Sequence, residues 1–268
     1  MIYEEFLNFL DSGFLIDGKF IKIFVENYIK NNNLENHYDG VEIDFLSPYM
    51  GAYLLDQKKI IINLDLFVKK TLNIKGEYNI FDFPKDIIYK LNIKLISTIY
   101  HELNHISQRD EKIKIIKDLY DNCYGNMKKD INNYYKYHKY YLTEWNANIK
   151  AELYLDKFLD ELIKIDQNVI NKRIKDRINI WYDLMYKESD GLVISPLEYY
   201  CYYTNQNYNS FLYNLLISDD YDKLTDMEKI SYGLPIDDKI KLDKEKILEY
   251  TKKLRGVNYE KRFCKFIW

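Results

Sequence analysis

The chain has 268 residues, a mass of 32.6 kDa and a formal net charge of −3, with 47% hydrophobic and 30% charged residues. That balance excludes an intrinsically disordered chain and the strongly basic composition of a nucleic-acid-binding protein. Nine glycines and four prolines leave few of the residues that turns and sheet bends need, so a helix-rich α+β fold is expected.

The N-terminus, Met1-Ile2-Tyr3-Glu4-Glu5, is acidic where a secretory leader is basic, and no uninterrupted apolar run approaches the ~18 residues of a membrane span. A cytoplasmic protein with no membrane association is expected. Residues 2–33 carry a helical rhythm broken by Gly13 and Asp17-Gly18, which predicts one helix or two. From Val41 the period changes to two. Ala52–Leu55 and Ile60–Leu64 then flank the polar stretch Asp56-Gln57-Lys58-Lys59 and predict a β-hairpin. A loop containing Gly76, Asn79 and Pro84 leads to residues 86–109, where Ile88, Leu91, Leu95, Ile99, Leu103 and Ile106 form the apolar stripe of a long amphipathic helix.

Within that helix lies His101-Glu102-Leu103-Asn104-His105, an HExxH sequence. A four-residue step brings two imidazoles to one face of a helix, where both can bind a single Zn²⁺, and the adjacent Glu102 can take a proton from a metal-activated water. With four histidines in the whole chain, HExxH arises by chance with a probability of only about 0.004, so an accidental polar face is the weaker reading. Both histidines project away from the Ile99 stripe and are expected to face a cleft or solvent.

A tyrosine-rich connection to about residue 139 precedes a second helical pattern over 141–163. Its residues 144, 147, 148, 151 and 155 share a stripe, which makes Glu144 an inward-facing carboxylate that needs a cation or a partner. Ala147 and Ala151 allow a close helix–helix approach. Glu144 is therefore the candidate third metal ligand, with His138 as its competitor; a plain dipole-stabilising role in the first turn is the alternative for Glu144. His138 is also a candidate oxyanion donor, a role shared with Tyr140 and Tyr141. Further helices are expected near 167–189, 196–217 and 243–254. Cys123, Cys201 and Cys264 form no CxxC pair and read as buried thiols.

HExxH followed 39 residues later by Glu144 resembles the gluzincin arrangement of zinc metallopeptidases. More narrowly, Glu144-x-x-Ala147-Asn148-x-x-Ala151 resembles a signature of the ImmA/IrrE family, as does Ile60-Ile61-Ile62-Asn63 ahead of the HExxH helix. Lys150 stands where that family usually has Phe, and Asn104 where it has Gly. The likeness covers roughly residues 40–160. It implies a zincin-like core in which His101, His105 and Glu144 hold Zn²⁺ and Glu102 is the general base. It also implies that a hairpin strand, residues 52–55 or 60–64, pairs with an extended peptide.

The expected organisation is a metallopeptidase domain over residues 1–165 and a helical extension over 166–268. The expected activity is hydrolysis of a peptide bond in a specific protein, such as a repressor or other regulator. A zincin-like module that binds a protein without cleaving it is the alternative, and a toxin-like metalloprotease has little support. Lys252, Lys253, Arg255, Lys261, Arg262 and Lys265 read as a solvated basic face, so no nucleic-acid partner is expected.

Overall fold

A computed structural model describes residues 2–112, 117–118, 120–121, 124, 142–169 and 221–224. The chain divides into two compact units, Met1–Asp110 with Ala151–Ile174, and Glu111–Lys150 with Lys175–Trp268. The described part is helix-rich, with one small mixed sheet, and belongs to the α+β class.

The first unit begins with two helices, α1 (Ile2–Ser12) and α2 (Gly18–Asn31). Asp17 starts α2 by accepting a hydrogen bond from Phe20 N at 2.8 Å, which satisfies one of the free N–H groups of the first turn. Strands β1 (Gly40–Ile43), β2 (Gly51–Leu54) and β3 (Lys59–Ile62) follow. The expected hairpin forms, with β2 and β3 antiparallel and Gly51 opposite Ile62, while β1 joins β3 in parallel with Gly40 opposite Lys59. The strand order is β1-β3-β2, so residues 60–62 lie at the centre of the sheet and cannot supply the free edge. Among the two hairpin strands only β2 can.

The apolar run that starts at Ile60 does not stay extended to Leu64. Asn63 caps a helix, α3 (Leu64–Leu72), by accepting from Leu66 N at 2.9 Å, and Asn73 ends it in the left-handed region with φ 55°. Its signals are legible in retrospect: an Asn cap, Asp65 in the first turn, Lys69 and Lys70 in the last, and Asn just beyond. Helix α4 (Lys85–Arg109) then runs for 25 residues, as its stripe requires.

Ile88, Leu91, Leu95, Ile99, Leu103 and Ile106 of α4 are all buried in the core of this unit. Asn92 is buried with them because it has a structural task. Its Oδ1 accepts from Ile16 N at 2.9 Å and its Nδ2 donates to Phe14 O at 2.8 Å, which pins the α1–α2 connection to α4. Helix α5 (Leu142–Ile165) realises the expected helix over 141–163, and its second half belongs to this unit. There Phe158 meets Phe6, Phe24 and Tyr100 edge-on, and Tyr154 stacks on Tyr100 at 5.4 Å between ring centroids. Ser97 Oγ donates to Glu152 Oε1 at 3.0 Å, so α4 and α5 are joined by packing and by a buried polar bond.

Of the second unit, the start of α5 and a short turn of 3-10 helix at Tyr221–Lys223 are described, with Tyr120 and Leu224 buried. Residues 167–169 form a turn. The rest of the helix expected over 167–189, the helices over 196–217 and 243–254, the three cysteines and the basic C-terminal residues lie outside the described residues. No helix among the described residues is long and apolar enough to cross a membrane.

Candidate metal centre

Helix α4 delivers the two histidines as its period dictates. Their rings stand 4.8 Å apart between centroids and nearly perpendicular, and His101 Nε2 comes within 3.1 Å of His105 Nε2. Glu144 occupies the first turn of α5, and the ligand atoms of His101, His105 and Glu144 lie within 4.8 Å of one another. This group could hold a metal ion.

The donor set fits a divalent ion on two counts. Two imidazole nitrogens bound to a tetrahedral Zn²⁺ at about 2.05 Å stand about 3.3 Å apart. The observed 3.1 Å needs only a small opening of the pair. Glu144 is 5% exposed, and a carboxylate withdrawn so far from water is costly unless a cation or hydrogen-bond donors compensate it. Its position in a helical first turn also suits its charge.

Of the two histidines, expected to face a cleft or solvent, His101 is half-buried and His105 is 8% exposed, so His105 is turned away from open solvent. The difference arises because α4 is covered on more than its apolar stripe. Glu102, Asn104 and Gln108 are also buried. Gln108, one turn beyond His105, holds its Oε1 3.2 Å from His105 Nδ1. With that oxygen accepting, Nδ1 would carry the proton and leave the Nε2 lone pair to a cation. The three-residue step from His105 was a readable signal for Gln108, and the motif overshadowed it. Asn104 turns its Nδ2 back to Tyr100 O at 2.7 Å.

Glu102 leaves the helix on the side of β2. A Cβ on Gly51 would come 3.0 Å from Glu102 Oε1 and 3.2 Å from both Glu102 Cγ and Thr98 Cγ2. Glycine is thus what lets the strand approach the carboxylate, and Gly51 is a second residue of the site that motif reading passed over. His138, with Tyr140 and Tyr141, lies outside the described residues. The remaining histidine, His37, is taken up elsewhere, with its Nε2 3.5 Å from Asp110 Oδ1.

Comparison with family models, with curated proteins and with solved structures finds no match to this chain. The arrangement of these side chains is therefore what a functional reading has to stand on.

Proposed function

We propose that this chain is a zinc-dependent endopeptidase of the gluzincin type, with a zincin-like core formed by the three-stranded sheet and α4. The observation that carries the reading is the convergence of His101, His105 and Glu144, with Glu102 between the two histidines and β2 drawn up against it. His101 Nε2, His105 Nε2 and a Glu144 oxygen would hold the ion, which when bound supplies a Lewis acid and an acidified water.

The chain's own groups do the rest. Gln108 fixes the tautomer of His105, and Glu102 takes a proton at a carboxylate oxygen as the water attacks and returns it to the leaving amine. Strand β2 orients the peptide. Asn63 N donates to Met50 O at 3.0 Å, which makes Met50 and Asn63 a bonded pair; by alternation Ala52 and Leu54 also bond inward, and Gly51 and Tyr53 turn their main chains to the outer edge. A substrate strand can pair with those two residues beside Glu102.

Elemental analysis of wild type, His101→Ala and Glu144→Ala tests the centre. Near one zinc per chain, lost in the first variant and weakened in the second, is expected; no metal in wild type after zinc is added back refutes the proposal. Glu102→Gln should keep the metal and abolish cleavage. Equal behaviour of that variant and wild type toward a protein partner would instead favour a binding module.

A further inference from the structure

The turn between β1 and β2 displays apolar side chains where a soluble chain ordinarily hides them. Leu46 is 93% exposed and Phe45 64%, while Tyr49 at 38% and Met50 at 39% are partly exposed, so four large apolar groups in six positions reach the surface. Isolated exposed hydrophobics are common, but a cluster this dense marks a contact surface.

The turn is held firmly. Leu46 N donates to Asp44 Oδ1 at 2.9 Å and Tyr49 N to Ser47 Oγ at 3.2 Å. Asn63 Nδ2 donates both to Phe45 O at 3.1 Å and to Ser47 O at 2.8 Å. At its two ends Asp44 N donates to Ile62 O and Met50 O accepts from Asn63 N, so β3 anchors both sides. A backbone fixed in this way loses little further freedom when something binds the side chains it carries.

The turn leads directly into the strand that borders the site. Met50 is followed directly by Gly51, the residue against Glu102, and an extended chain rises by at most about 3.6 Å per residue. Leu46 therefore lies within about 18 Å of Gly51, the reach of about five residues of a peptide paired along β2. We propose that the Phe45–Met50 turn is a specificity surface of the site, which selects extended peptides carrying a bulky apolar side chain within five residues of the segment paired with Gly51 and Tyr53. This inference rests on the peptidase reading for the site it borders, and it adds the chemistry of the substrate.

The test uses a library of soluble decapeptides with one variable position, read by mass spectrometry for cleavage and by fluorescence polarisation for binding to Glu102→Gln protein. Wild type should prefer Phe, Leu, Ile, Met or Tyr over Ser near the cut or paired segment by about 10- to 100-fold, the discrimination one large apolar group can provide. Phe45→Ser and Leu46→Ser should each lower that preference several-fold with zinc content unchanged. Apolar-selective binding with no cleavage by zinc-loaded wild type would keep the surface and overturn the peptidase reading. Cleavage with the same preference in both variants and wild type overturns the surface and leaves the peptidase. If the serine variants change only the sedimentation of the protein, the turn is an interface between copies of this chain and the inference fails.

Discussion

Replacing Gln108 by Ala removes the oxygen to which His105 Nδ1 donates at 3.2 Å, and it does so one helical turn away from the proposed ligand atom. Two effects follow from the geometry. A buried neutral hydrogen bond of this kind contributes about 1 kcal/mol. In addition, the imidazole becomes free to place its proton on Nε2, the atom that must be bare to bind a cation. Outer partners of metal-ligating histidines typically change metal affinity by about 10–100-fold, equivalent to about 1.4–2.7 kcal/mol. Zinc affinity of Gln108→Ala should therefore fall within that range, measured by competition with a chromophoric chelator at pH 7. Gln108→Glu keeps an acceptor at the same reach and should recover most of the loss, which a general packing defect would not. A Kd for Gln108→Ala within twofold of wild type would refute the positioning argument. Absence of zinc binding by wild type would instead remove the metal centre itself.

Asn63 joins three elements through one amide, since it accepts from Leu66 N and donates to Phe45 O and Ser47 O while only 3% exposed. Asn63→Ala should lower unfolding stability by about 2–4 kcal/mol at about 1 kcal/mol per lost bond plus the cost of stranded partners, readable in urea denaturation. Alkaline pH should unfold the chain early. Burial pushes the Tyr38 and Tyr78 hydroxyls up to about 12, and it raises Tyr28 and Tyr100 as well. Below pH 10 both states are neutral at these groups; above it the unfolded chain ionises first, so stability present below pH 10 is lost as pH rises toward 12. The last part of the tyrosine ionisation followed by ultraviolet absorbance, that of the buried hydroxyls, should then coincide with loss of helical circular dichroism. Complete ionisation of all 28 tyrosines by pH 10 with the helices intact would contradict it.

The elements legible in the sequence are those whose signal is local. The stripe from Ile88 to Ile106 predicts α4 nearly to its ends, and the Asp17-Gly18 break separates α1 from α2. Periodicity misread Leu64, because a run of Ile60, Ile61 and Ile62 masks the switch from strand to capped helix at Asn63. Nothing local encodes the parallel pairing of β1 with β3 across an intervening strand, so the central place of residues 60–62 emerges only from the fold. At the site, the pairing of His101 with His105 follows from helical spacing, and Glu144 from an acidic residue on an inward stripe. Gln108 and Gly51 act through tertiary proximity and an absent side chain, which a period does not reveal. The burial of His105 likewise depends on neighbours that come from distant parts of the chain.

The shortness of β2 bears on solubility. An unpaired strand edge is ordinarily a template on which other chains add and aggregate, and proteins blunt such edges with charge, bulges or brevity. Here the strand has four residues, of which Gly51 and Tyr53 alone turn their main chains outward, and no strand among the described residues pairs with that side. A stray strand from another molecule gains only a few hydrogen bonds, too little to nucleate a growing fibre. Lengthening β2 by two or three alternating apolar residues would extend that ladder, and the same edge that now offers a brief foothold would become a seed for precipitation.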